Sequence, residues 1–253
     1  MRPARTYLGT AGWSLPIAVQ PRFPSEGSHL ARYAARFSAA EINSSFYRSH
    51  RASTYEKWAN EVPASFRFSV KVPRTITHLK GLVGANAELD AFLLEVSPLG
   101  GRLGCLLVQL PPSLALDRRS ANIFFGMLRR RFAGDVAAEP RHATWFTPPG
   151  DDLLARHQIA RVAADPARVP LAAQPAGWPE LVYYRLHGSP RTYYSSYDGP
   201  WLRALSEHLL RARGETGRLW CIFDNTASGA ATTNALDLAG MVARPRLFRG
   251  APR

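Results

Sequence analysis

Short apolar runs of four to eight residues recur along this 253-residue chain, and longer amphipathic stretches separate most of them. The runs occupy residues 6–11, 39–42, 67–72, 103–110, 136–139, 161–164, 181–186 and 219–223. Each has the length of a strand. Helical patterning falls between them, over residues 27–37, 53–61, 85–96, 116–132, 151–157, 200–213 and 230–242. The fourth of these stretches ends in Arg129, Arg130 and Arg131, where a helix C-terminus favours cations. Only the link between the sixth and seventh runs, DPARVPLAAQPAGWP, is too proline-rich for a helix. Alternating strand and helix predicts an α/β fold with parallel strands. Eight such units in about 250 residues match a (β/α)8 TIM-like barrel, here one domain over residues 1–253. A doubly wound open sheet is the alternative, but its central strands are apolar on both faces. Phe68, Val70 and Val72 share one face of the third run, whereas Arg67, Ser69 and Lys71 share the other. A barrel gives those two faces different roles.

Four runs end with polar or charged residues two positions apart: Glu41/Asn43, Ser69/Lys71, Glu139/Arg141 and Arg185/His187. A strand repeats every two residues, so each pair projects from one face. Parallel barrel strands all point the same way, and their C-terminal ends build the active site. Trp13, Gln109, Asp165, Asp224 and Asn225 fall at the remaining ends. The pairs therefore converge on one mouth.

The net charge of +13 suits an anionic partner. Only three of the 32 basic residues are lysine, however, and such a skew also follows from coding composition. Cys105 and Cys221 lie in apolar runs and read as buried, reduced thiols. No stretch approaches the roughly 20 apolar residues of a membrane span. The first residues lack the apolar segment of a secretory signal, so a cytoplasmic location is expected. No P-loop, dinucleotide-binding glycine run, HExxH or cysteine-based zinc pattern appears, and neither cofactor nor metal is expected.

Several ordered segments resemble the YecE-like family, also called domain of unknown function seventy-two. GTAGWS at 9–14, EINSSFYR at 41–48, FRFSVKVPRTITH at 66–78 and QLPPS at 109–113 carry the first half of the resemblance. AAEPRHATW at 137–145, AADP at 163–166, YYRLHGS at 183–189 and FDNTASGAATTNA at 223–235 carry the second. The resemblance implies a TIM-like barrel and supplies no reaction. The chain departs from the family pattern at Asp224, where Asn-Asn is usual, and at Leu15, where an aromatic is common.

Lys71, Glu139 and His187 are the candidate catalytic residues. Lysine can lose its proton when desolvated, whereas arginine stays charged. A carboxylate and an imidazole can exchange protons near neutrality. Trp13, Glu41, Asn43, Gln109, Arg141, Asp165, Arg185 and Asn225 are candidate substrate contacts, with the arginines suited to carboxylate or phosphate. Ser189, Ser228 and Gly229 are candidate phosphate ligands near a predicted helix N-terminus. For each pair the alternative is a local ion pair or a satisfied polar group. Phe46, Tyr47, Trp145, Tyr193, Tyr194 and Tyr197 fall in loops at the same rim and could wall a ring-bearing ligand. These residues point to an acid–base enzyme for a small anionic substrate or nucleotide. The alternatives are a divalent-metal isomerase- or endonuclease-like barrel around Glu41, Glu139, Asp165, His187 and Asp224, and a non-catalytic nucleic-acid-binding protein.

Overall fold

The computed structural model describes residues 5–215 and 217–243. Its strands are β1 (Arg5–Ala11), β2 (Ala39–Ile42), β3 (Arg67–Lys71), β4 (Leu103–Gln109), β5 (Asp135–Glu139), β6 (Ala160–Arg161), β7 (Ala163–Asp165), β8 (Ala176–Gly177), β9 (Leu181–Leu186) and β10 (Arg218–Phe223). β1 pairs in parallel with both β2 and β10, so the first and last strands join. The ring closes through two short pieces, because β6 pairs with β5 while β7 pairs with β9. The run predicted over 161–164 is thus one barrel strand broken at Val162, whose N–H still reaches the Ala138 carbonyl at 2.8 Å. Eight strand positions result, as the alternation predicts.

The link predicted to be irregular holds a single 3-10 turn at Pro170–Ala173 and β8, which pairs antiparallel to β6. Arg161 ties it down. Its Nε donates to Asp151 at 2.6 Å, its Nη1 donates to the Leu171 carbonyl at 2.8 Å, and its guanidinium lies 4.9 Å from the Phe146 ring centre.

The helices are α1 (His29–Ala34), α2 (Ala52–Glu61), α3 (Asn86–Val96), α4 (Arg118–Arg131), α5 (Pro148–Arg156), α6 (Gly199–Glu215) and α7 (Ala230–Ala243). α1 and α4 each begin two residues later than predicted, directly after a capping residue. The Ser28 hydroxyl accepts from Ala31 N at 3.1 Å, and the Asp117 carboxylate accepts from Arg119 N at 2.8 Å. A side-chain oxygen in that position satisfies a helix-start N–H, so the helix begins there. No helix among the described residues is long and apolar enough to cross a membrane.

Outward-facing Phe68, Val70 and Val72 pack into the large apolar cluster with the helices. Inside the ring a second cluster gathers Tyr7, Ala39, Cys105, Leu107, Ala137, Val162, Tyr183, Trp220 and Ile222. Both cysteines are free and buried, as their apolar surroundings suggest. Trp220 plugs the barrel floor, 4.6 Å from the Tyr7 ring and stacked at 5.9 Å on Tyr183. Trp220→Ala should therefore cost about 3–5 kcal/mol, read as a fall in denaturant midpoint. β1 and β2 approach so closely that a Cβ on Gly9 would lie 1.8 Å from the Ala39 carbonyl oxygen. Glycine is the only residue that fits there.

Candidate active site at the barrel mouth

Above the aromatic floor the inner faces turn polar. Glu41 comes from β2, Ser69 and Lys71 from β3, Gln109 from β4, Glu139 from β5, and Tyr183 and Arg185 from β9. His187 and Asp224 stand just beyond β9 and β10.

Arg185 is fully enclosed and touches three carboxylates. Its Nε and Nη2 fork onto Glu41 at 2.9 and 2.7 Å. Its Nη1 donates to Glu139 at 3.1 Å, and Nη2 also lies 3.0 Å from Asp224. Tyr183 supports the same centre, donating to Ser69 Oγ at 2.9 Å and lying 3.3 Å from Glu41. Burial alone would lower the Arg185 pKa, but Asp224, Glu41 and Glu139 outweigh it and hold the guanidinium firmly charged.

Glu139 accepts from four donors. Oε2 takes Gln109 Nε2 at 2.8 Å and Arg185 Nη1, while Oε1 takes Arg141 Nη2 at 3.0 Å and His187 Nε2 at 2.8 Å. Burial pushes this carboxyl up, yet Arg141, His187 and Arg185 overcome it and hold it well below the usual carboxylate range. The other imidazole nitrogen, Nδ1, faces Asp224 Oδ2 at 3.0 Å. Burial pulls His187 down, but Glu139 and Asp224 outweigh it and raise its pKa, and each ring nitrogen faces a carboxylate oxygen. Arg141 Nη2 also lies 3.1 Å from His187 Nε2, and both atoms face Glu139 Oε1. Asp224 is raised by burial and then lowered further by Arg185, His187 and Lys71.

Lys71 differs from its neighbours. It is only 4% exposed, and no hydrogen bond or ion pair among the described residues reaches its ammonium, which sits 4.0 Å from the Phe46 ring centre. Neither Glu41 nor Gln109 pairs with it. Burial first, then Arg185, pushes its pKa down to about 8 against the pull of Glu41, Glu139 and Asp224.

A cavity of about 320 Å³ opens beside this cluster, lined by Glu139, Arg141, His187, Arg168, Phe146 and Tyr193, among others. Lys71 lies outside that lining. Tyr193 stands edge-on to His187 at 5.8 Å. Gly188, at φ 91°, turns the chain directly after His187, and its N–H donates to Tyr197 at 2.8 Å.

The structure thus brings Lys71, Glu139, His187, Glu41, Gln109, Arg141 and Arg185 together, with Asp224 added. It does not place the other expected residues in that cluster. Glu41 and Arg185 belong to it but are shut off from solvent, so their contacts are internal. Trp13 packs against Trp58 and the outward Phe68, with ring centres 5.1 and 6.0 Å apart. Asn225 spends its amide on Ser195 and Asn234 at 2.9 Å each, which holds the loop after β9. Asp165 accepts from Tyr197 at 2.8 Å. Ser228 is exposed and donates to the Tyr194 carbonyl at 2.7 Å, so its hydroxyl is already used. Gly229 turns the chain at φ 77° against Pro16, and Ser189 enters a cis bond to Pro190. Asn43 directly follows β2 and turns the chain out of the strand; its Oδ1 is buried without a partner among the described residues. Of the expected aromatic wall, Trp145 is buried and bonded to the Leu114 carbonyl, and Tyr197 is stacked on Trp201. Tyr47, Tyr193 and Tyr194 remain exposed. Tyr183 is a site residue that sequence reasoning missed, although its place two residues before Arg185 signals the same inward face.

The pH dependence of stability follows from these shifts. Glu139 and Asp224 are lowered, so they stabilise the fold above the unfolded carboxylate range, and that contribution is lost as pH falls through their folded values. His187 is raised, so its contribution is complete below about pH 6.5 and is lost as pH rises through its folded value. Lys71 is lowered, so it opposes folding increasingly as pH drops from about 10.5 toward about 8. Subtracting the melting profile of His187→Gln from that of the natural chain should isolate a stabilisation that declines toward alkaline pH.

Strand order, closure and a charged mouth define a TIM-barrel protein. The chain belongs to the family described as "Protein of unknown function DUF72", whose model matches residues 7–252. It is 30% identical over 151 residues to the UPF0759 protein YunF of Bacillus subtilis, a match covering 56% of this chain and 53% of that protein. The chain therefore spans about half the length of the curated relative it matches. A DUF72 family protein from Enterococcus faecalis superposes with a TM-score of 0.80 at 22% identity, over 95% of this chain and 96% of that one. A sugar phosphate isomerase/epimerase from Parabacteroides distasonis shares the fold at a TM-score of 0.56 and 10% identity, over 97% and 99% of the two chains.

Proposed function

We propose that this protein is an acid–base enzyme for a small anionic substrate bound at the barrel mouth. The observation that carries the reading is the Asp224–His187–Glu139 chain opening on the cavity next to Arg141. A doubly hydrogen-bonded, charged imidazole is a proton donor held in one orientation. A substrate oxygen arriving from the cavity would compete with Glu139 Oε1 for the Nε2 proton. Arg141, partly exposed at the rim, keeps further N–H donors for a carboxylate or phosphate. Lys71 adds a cation that no carboxylate has claimed. Arg185 sets the geometry from beneath.

The same centre weighs against the divalent-metal alternative. The guanidinium of Arg185 occupies the space between Glu41, Glu139 and Asp224 that a cation would need. The shared barrel makes phosphorylated sugars a sensible first substrate class. The test is a turnover screen of sugar phosphates and hydroxy- or keto-acids with the natural chain and His187→Gln. Conversion that depends on His187 supports the reading; conversion that ignores it overturns it.

A further inference from the structure

A second set of basic side chains gathers around Lys71, and the acid–base chain does not use it. β3 ends at Lys71 and runs through Arg74 into a short π-helical turn, Thr75–Leu79, which carries His78. Lys71 and His78 both touch one side chain: the ammonium lies 4.0 Å from the Phe46 ring centre, and the imidazole stands edge-on to that ring at 4.9 Å. His78 Nδ1 is engaged by Thr77 Oγ1 at 2.9 Å, which leaves Nε2 without a partner among the described residues. Burial lowers the His78 pKa, and the charges of Lys71, Arg74 and Arg141 each lower it further.

The charges at the mouth do not cancel. Glu41, Glu139 and Asp224 are matched by Arg185, Arg141 and His187. Lys71 and Arg74 are left over. A buried ammonium without a hydrogen bond is costly, and an anion would remove that cost. We propose that Lys71, Arg74, His78 and Arg141 form a subsite for the phosphate group of a phosphate monoester. This deepens the acid–base reading and rests on it for the position of the reacting carbon. Arg141 belongs to both places, lining the cavity and acting on His78. A phosphate at the subsite would therefore put the adjoining carbon chain in the cavity beside His187. Lys71, Arg74 and Arg141 have unused N–H donors, which suit the oxygens of a phosphate better than the two oxygens of a carboxylate. Tyr47, exposed, packs its ring on Phe46 at 4.9 Å.

The experiment is calorimetric titration of the full chain with inorganic phosphate at constant ionic strength. Arg74 is exposed and His78 only partly buried, so Arg74→Ala/His78→Ala should fold normally. The double variant is expected to weaken phosphate binding about tenfold or more. A control pair, Arg118→Ala/Arg119→Ala, removes two exposed arginines at the start of α4 and should leave binding unchanged. No phosphate binding by the natural chain, equal binding by the Arg74/His78 variant, or equal weakening by the control pair would each overturn the subsite. None of those results touches the acid–base reading, which fails separately if turnover of a non-phosphorylated acid proceeds without His187.

Discussion

Replacing Arg185 with methionine is expected to destabilise the barrel by about 3–5 kcal/mol, a large share of the roughly 5–15 kcal/mol that holds a typical domain folded. The reason lies in what remains behind. Glu41 is fully buried, and Glu139 and Asp224 nearly so; all three converge on one guanidinium. Without it they repel one another where water cannot screen them. Arg185→Lys should rescue only part of the loss, because one ammonium cannot fork onto Glu41 while also reaching Glu139. Adding Glu41→Gln to Arg185→Met should recover stability, since it removes one of the stranded charges. Urea melts of the three variants check the order.

The second large effect concerns chemistry. In a turnover assay His187→Gln is expected to reduce kcat by about 100- to 10,000-fold, the usual worth of a positioned acid–base group. Glutamine keeps a donor for Glu139 but has no proton to give. Its effect on the melting temperature should be modest, because His187 supplies one hydrogen bond to each of two carboxylates that Arg185 also holds. Glu139→Gln is the harsher change. It points an amide N–H₂ at two of the four donors that now converge on the carboxylate, so it should damage fold and turnover together.

Much of this arrangement is legible in the residues. Period-two spacing puts Glu139 with Arg141 and Arg185 with His187 on inward faces, and parallel strands carry both pairs to one end. The break in the sixth strand is not legible, because RVAAD reads as a continuous run; only barrel closure splits it between β5 and β9. The role of Asp224 depends on the same closure, which sets β10 beside β9. A cap-like Ser-Gly before α7 suggests an anion site from sequence, but the hydroxyl of Ser228 is taken by a loop that only the fold brings near. Arg74 and His78 escape notice because they follow β3 in a turn, where period-two reasoning has ended.

On the acid–base reading, a carboxylate pair holds His187 charged at the mouth, ready to give up a proton. An NMR titration of the His187 ring in the natural chain and in Asp224→Asn tests it most directly. Protons on both ring nitrogens are expected at pH 7, with a midpoint above the ordinary histidine value of about 6.5 and a lower midpoint in Asp224→Asn. A neutral ring at pH 7 with a single N–H, unaffected by that substitution, would contradict it.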